Sequence, residues 1–237
     1  MTPARTAGRQ RRARGSISSE QILDAAREVV ERDGLPGLSM AALGRQLQCG
    51  VMSIYGYFAN KDELLAALTE QVLRDFVRQL PPPGDGPWRA ELLGYFAAYR
   101  SLMETYVAYR ELALYAPTVV LGVAFTPAQL RRLDTGVGLL LRAGLGLDDA
   151  VRVYNVCLNY TRSFVAFEHG MLGAAGAPGA AKLAEPARRP AGFSAGEYPV
   201  LTQLDDIGPL FRLDDSGFRL GLDLLVDGII RRYGVNG

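Results

Sequence analysis

The residues that could do chemistry crowd into one stretch, Ser39 to Lys61, and the chemistry they suit is recognition rather than bond-making. Hydroxyls (Ser39, Ser53), phenols (Tyr55, Tyr57) and amides (Gln46, Gln48) are present, with Arg45 just before and Lys61 at the end. Nothing between Gln46 and Lys61 is ionised. Ser39 is placed to N-cap a helix, because its hydroxyl can accept an orphan backbone N–H two or three residues on. Met40, Leu43 and Leu47 then fall on one face at helical spacing. Gln48-Cys49-Gly50 interrupts the pattern, and Gly50 can take the positive φ that a sharp turn needs. A second helix follows, with Ile54 and Phe58 facing in and Val51, Ser53, Tyr55 and Tyr57 left to face out. This is the plan of a helix-turn-helix, whose second helix enters the DNA major groove.

The elements around it are helices. Ser18 and Gln21 form a capping box for a first helix, and Ile22, Ala25, Ala26, Val29 and Val30 make its buried stripe. Gly34 offers a C-cap, and Pro36 forbids simple continuation. Asn60, with Glu63 three residues on, opens a helix carried by Leu65, Leu68, Val72 and Phe76 to about Gln79. Pro81-Pro82-Pro83-Gly84-Asp85-Gly86-Pro87 then separates two domains, spanning residues 19–80 and 87–237. In the second, apolar periodicity predicts helices over Trp88–Tyr106, Val107–Tyr115, Pro127–Gly144, Asp149–His169 and Asp215–Tyr233, with a short one over Tyr198–Asp205. Residues 171–196 are rich in Gly, Ala and Pro and predict a loop. No strand-type alternation persists, so the fold class is all-α, with nine or ten helices.

Composition narrows the function classes. With 237 residues, 49% of them hydrophobic, the chain has ample material for a buried core. No apolar run approaches the ~20 residues a bilayer requires, so we expect a cytoplasmic protein with no membrane partner. Cys49 and Cys157 lie far apart and suggest neither a disulfide framework nor a zinc site, and no cofactor is expected. The net charge of +1 is uninformative, but its distribution is not. Residues 1–18 hold Arg5, Arg9, Arg11, Arg12 and Arg14 with no acid, whereas residues 19–79 hold six basic residues against nine acidic ones. We read residues 1–18 as a disordered basic arm able to reach phosphates or a minor groove. A solvated tail that merely aids solubility is the alternative.

Ile54-Tyr55-Gly56-Tyr57-Phe58-Ala59-Asn60-Lys61-Asp62-Glu63-Leu64-Leu65 resembles the signature of the tetracycline-repressor (TetR) family, dimeric all-helical transcription regulators. The family pattern runs Gly-Val-Ser-x-x-Thr-Leu-Tyr-x-Tyr-Phe, then Lys, acidic residues and Leu-Leu. Here Gln48 and Cys49 stand where the family has Gly-Val, so the turn glycine is displaced by two positions. The resemblance implies that Ser39 and Lys61 anchor phosphates and that Tyr55 and Tyr57 reach the DNA backbone. It also implies that Gly50, Val51, Met52 and Ser53 face base edges. With no charge on this helix, base reading leans on Ser53 hydrogen bonds and on Val51 or Met52 against thymine methyls, while Arg45 supplies a backbone or guanine contact. Packing between helices is the alternative for Tyr55 and Tyr57, and plain solvation for Lys61.

Phe218-Arg219-Leu220-Gly221-Leu222-Asp223-Leu224-Leu225-Val226-Asp227-Gly228 is similar to the family's closing motif. The resemblance implies a homodimer joined through the Asp149–His169 and Asp215–Tyr233 helices, with Tyr154, Thr161, Phe218, Gly221, Leu222, Leu225 and Ile229 at the interface. It further implies a palindromic double-stranded DNA operator and a small-molecule effector. Amphipathic aromatics with polar neighbours suit a pocket for a largely apolar or aromatic compound, and we expect Phe96, Tyr99, Arg100, Met103, Asn159 and Phe164 to line it. Two other classes stay open. In an effector-independent helical DNA-binding protein those aromatics are only core. An enzyme is the weaker choice: there is no nucleophile elbow, no phosphate-binding glycine loop and no paired His/Cys ligands.

Overall fold

The computed structural model describes residues 17–115, 127–172, 193–204 and 213–236. All regular structure among them is helical, and the chain divides into two compact units. Residues 1–16, with all five arm arginines, and most of the expected 171–196 loop lie outside the described residues.

The first unit holds α1 (Ser19–Gly37), α2 (Met40–Gln46), α3 (Val51–Tyr55), most of α4 (Lys61–Gln79) and α6 (Val107–Tyr115). The capping box that opens α1 is complete: the Gln21 N–H donates to Ser18 Oγ at 3.1 Å, and the Ser18 N–H donates to Gln21 Oε1 at 2.9 Å. Ile22, Ala25, Ala26, Val29 and Val30 are buried as their spacing requires. At Gly34 the backbone leaves the helical region with φ 71°, a conformation cheap only for glycine, and Leu35–Gly37 form a separate turn. The Leu35 N–H freed there donates to a Glu111 carboxylate oxygen of α6 at 3.1 Å. The grouping of α6 with α1 was not visible in the sequence, where residues 107–115 follow the second domain's first helix directly. Phe76 of α4 and Tyr109 of α6 stack with ring centroids 3.9 Å apart. Asn60 caps α4 through the Glu63 N–H, and the Glu63 carboxylate accepts from the Ala59 N–H.

The second unit is built from α5 (Trp88–Thr105), α7 (Pro127–Arg142), α8 (Leu147–Leu172) and α9 (Asp215–Tyr233). Each of the four packs on at least two of the others. The short helix expected over Tyr198–Asp205 is reduced to a single 3₁₀ turn, Leu201–Gln203. Asp214 caps α9 by accepting from the Gly217 N–H at 2.9 Å, and Gly234 ends it in the left-handed region at φ 65°. Two close approaches depend on a missing side chain. A Cβ on Gly136 of α7 would stand 2.0 Å from the Tyr154 ring of α8. One on Gly221 of α9 would stand 2.1 Å from the Tyr160 hydroxyl, which donates to the Phe218 carbonyl at 2.9 Å.

Candidate functional site

In the helix-turn-helix the apolar residues do what their spacing demands. Leu43 and Ile54 are fully buried and Phe58 nearly so, which locks α3 against α2 and leaves its other side to solvent. Met52 is 79% exposed, and Tyr55 and Tyr57 are both more than 40% exposed. Ser39, Arg45, Gly50, Ser53 and Lys61 are exposed as well, and Val51 is half-buried. No contact to DNA requires any of these nine to leave the core. Tyr55 and Tyr57 each keep part of the ring against the unit and present the rest to solvent.

The turn differs from expectation in one respect. Gln48, not Gly50, takes the left-handed conformation, with φ 54°, while Gly50 is an extended N-cap at φ −71° and ψ 141°. The chain therefore turns one residue after Leu47, closed by the Cys49 N–H donating to the Gly44 carbonyl at 3.0 Å. Two polar contacts had no sequence signal. The Tyr57 hydroxyl donates to the Ile17 carbonyl, which fixes the residue next to the arginine-rich segment beside the end of α3. The Gln46 amide donates to Glu28 at 2.6 Å and its carbonyl oxygen accepts from Arg32 at 3.3 Å, joining α2 to α1.

The residues expected to line an effector cavity do not form one wall. Phe96, Tyr99 and Met103 are fully buried core of α5, and Asn159 is exposed on α8. Arg100 is buried among acids instead. It pairs with Asp215 at 2.5 Å, Glu168 at 2.8 Å and Glu104 at 2.9 Å, and lies over the Phe164 and Phe218 rings. The Arg100 hydrogen bond and charge hold the Asp215 carboxyl below its ordinary value. Burial is the larger influence on Glu104 and pushes its carboxyl up against the pull of Arg100. Arg100 is therefore a cross-link between α5, α8 and α9. A half-open apolar groove of about 340 Å³ does exist, between α5 and α9, lined by Leu93, Gly94, Ala97, Phe218, Arg219, Leu222 and Asp223. It shares no residue with the expected set.

Comparison with known proteins decides the family. The sequence profile described as "Bacterial regulatory proteins, tetR family" matches residues 22–68, and "Tetracyclin repressor-like, C-terminal domain" matches residues 80–233. The chain belongs to the TetR family. It is 29% identical over 224 residues to the HTH-type transcriptional repressor Rv1353c of Mycobacterium tuberculosis, covering 92% of this chain and 82% of that protein. The class A tetracycline repressor of Escherichia coli is 26% identical over 216 residues, covering 91% and 92%. Among solved structures, a possible TetR-family regulator from Streptomyces coelicolor superposes with a TM-score of 0.66 at 28% identity, covering 90% of this chain and 98% of that one. Streptomyces coelicolor ActR, solved in complex with actinorhodin, shares the fold with a TM-score of 0.70 at 24% identity, covering 94% and 98%. This is a family of transcription regulators rather than enzymes. No helix of the described residues is long and apolar enough to cross a membrane.

As a TetR-family chain it was expected to pair through α8 and α9, but the residues assigned to that contact need correction. Tyr154, Thr161, Phe218, Leu222 and Ile229 are already buried within the one subunit and have no surface left for a second. Gly221 is taken up by the Tyr160 hydroxyl, and Leu225 is half-buried. Among the described residues, the large apolar side chains that these helices leave outside are Leu147, Val156 and Phe167 of α8 and Leu220 and Leu224 of α9, each more than half exposed. The closing motif is apolar on nearly every face, so its periodicity could not tell the inward residues from the outward ones.

Proposed function

We propose that the protein is a ligand-responsive transcriptional repressor that binds a palindromic operator as a homodimer and is released by a small, largely apolar or aromatic effector. The observation that carries the reading is α3 itself. It is an uncharged helix locked from behind by Ile54 and by Phe58 just past its end, with Met52, Ser53 and Tyr55 turned outward, Tyr57 exposed after it and Lys61 exposed at the start of α4. Its relatives point the same way: the Mycobacterium tuberculosis protein is named a repressor and the Escherichia coli one a tetracycline repressor. On DNA, Ser53 and Met52 read base edges in the major groove while Ser39, Tyr55, Tyr57 and Lys61 fix the register on the backbone. The Tyr57–Ile17 bond starts the arginine arm beside α3, so Arg5 to Arg14 add a salt-sensitive contribution.

Pairing across Val156, Phe167, Leu220 and Leu224 gives a twofold dimer. Such a dimer holds two recognition helices about 34–36 Å apart for half-sites one turn of DNA apart. An effector that prefers a different spacing of the two heads lowers operator affinity by its differential binding free energy. One observation favours the reading without an effector, namely that Phe96, Tyr99 and Met103 are closed core.

The test uses a fluorescent duplex from the intergenic DNA upstream of the protein's own gene, with binding and mass followed together. Wild type is expected to bind as a dimer, Met52→Glu to lose sequence-specific binding, and Leu224→Glu to run as a monomer. Binding by Met52→Glu equal to wild type would refute the placement of α3 in the groove. Failure of every small molecule in a broad library to release the DNA would decide for the effector-independent reading.

A further inference from the structure

One hydrogen bond of the first unit spans 40 positions of the chain and ends beside the recognition helix: the Tyr57 hydroxyl donates to the Ile17 carbonyl. Both of its ends are held. Tyr57 lies just past α3, where its N–H donates to the Ile54 carbonyl at 2.9 Å and the next N–H, that of Phe58, donates to the same carbonyl at 3.0 Å. Ile17 precedes the cap of α1, where the Ser18–Gln21 capping box fixes the chain. It shares a shallow depression with Gln21 and Ala25 of α1 and with Gln46 and Leu47 at the end of α2. A phenol has one proton to give. Phosphate oxygens only accept, so while the Ile17 bond lasts the Tyr57 hydroxyl cannot also donate to DNA. The exposed part of its ring stays free to pack on the backbone.

Charge gives this bond a purpose. Residues 19–79 hold six basic residues against nine acidic ones, a balance of the wrong sign to attract phosphate. Among the nine residues left open to DNA, only Arg45 and Lys61 are cationic. Arg5, Arg9, Arg11, Arg12 and Arg14 supply the missing attraction. A chain covers at most about 3.3–3.6 Å per residue, so Arg14 stays within roughly 11 Å of Ile17 and Arg11 within roughly 22 Å, whatever path the chain takes. Fixing Ile17 beside the end of α3 therefore keeps these arginines next to whatever α3 touches. We infer that Tyr57 is the positioning residue of the arginine arm. By holding the Ile17 carbonyl it directs the arm onto the phosphates of double-stranded DNA that flank the base pairs read by α3. This rests on the proposal that α3 enters an operator, and it assigns the Tyr57 hydroxyl to the arm rather than to a phosphate.

The test compares four full-length proteins. They are wild type, Tyr57→Phe, a chain with Arg5, Arg9, Arg11, Arg12 and Arg14 all replaced by glutamine, and that glutamine chain with Tyr57→Phe added. Binding to the fluorescent upstream duplex is followed by anisotropy from about 50 mM to about 500 mM salt. Tyr57→Phe is expected to weaken wild-type binding about tenfold at the low end, the order of the cost of ordering one freed backbone residue. The penalty should shrink as salt rises, because the arm's own contacts are then screened. In the glutamine chain the same change should cost less than about twofold at every salt, the limit for sites that do not act together. Circular dichroism shows that all four proteins fold. A phosphate bond from Tyr57, or a purely structural role, gives the same penalty in both backgrounds and at all salts, and that result overturns the inference. So does the absence of a penalty in either background. A glutamine chain that binds like wild type also overturns it and leaves the operator reading standing. Sequence-indifferent binding by wild type overturns the operator reading and this inference with it.

Discussion

Replacing Gly136 by alanine places a methyl carbon 2.0 Å from Cε2 and 2.6 Å from Cδ2 of Tyr154. Carbon atoms in a packed core sit about 3.5–4.0 Å apart, so the ring edge must retreat by roughly 1.5 Å. It has nowhere to go. Tyr154 is 1% exposed, and Phe96 lies against it at 5.8 Å. Overpacking of this kind costs about 1–3 kcal/mol, and alanine returns up to about 1 kcal/mol through its higher helix propensity. The net loss is on the order of 1–2 kcal/mol, or roughly 2–8 °C in a chain of this size. Gly138, two residues along the same helix, is the internal control, because no atom lies within 4 Å of where its Cβ would be. Gly138→Ala therefore collects the propensity gain alone, up to about 1 kcal/mol, and should melt above wild type. Both variants are melted by circular dichroism at one protein concentration, which keeps any contribution of the proposed pairing constant. A Gly136→Ala protein that melts at or above wild type would show that α7 and α8 do not approach through this glycine.

Other outcomes follow from the same geometry. Lys61→Ala should weaken operator binding evenly across sequences and flatten the log–log salt dependence by about 0.9 for each phosphate it no longer neutralises, read by anisotropy between low and physiological salt. An unchanged slope would make Lys61 a solvated charge only. Gln48→Gly removes the strain of a side chain at φ 54°, which costs about 1–2 kcal/mol, against the extra chain entropy of glycine of about 0.5–1 kcal/mol. A small rise in melting point is expected, and a fall would mean that the Gln48 side chain stabilises the turn. Because Arg100 holds the Asp215 carboxyl low, the stability from that pair is complete at neutral pH and is lost as pH falls through the ordinary carboxylate range. Asp215→Asn should lower the melting point at pH 7 and flatten its decline between pH 5 and 3. Glu104, whose carboxyl is pushed up by burial, acts in the opposite sense and loses its share as pH rises through that raised value, so Glu104→Gln should flatten this part of the pH dependence of the melting point.

Local chemistry was legible in the sequence because it is settled within a few residues. The capping box at Ser18, the break at Gly34, the caps at Ser39 and Asn60 and the inward pair Ile54 and Phe58 all involve spacings of four or fewer. The structure reproduces each of them. The outward set on α3 follows from the same rule, since fixing two inward residues on a short helix leaves the others outside. The TetR-like signature is densest in that stretch, with a second motif over residues 218–228, and family membership was readable for that reason.

What tertiary structure alone decided concerns helices whose apolar residues run all the way round, and neighbours far apart in the chain. In α8 and α9 no single stripe stands out, so burial of Tyr154, Phe218 and Leu222, and exposure of Asn159, Phe167 and Leu224, were set by which helices lie alongside. Arg100 looked like a pocket residue until its partners proved to be 4, 68 and 115 positions away. The same holds for Glu111 at the α1 break and for the Tyr57 bond to Ile17. Periodicity states that a helix has a buried face, whereas only the packed neighbours determine which face that is and which polar groups it encloses.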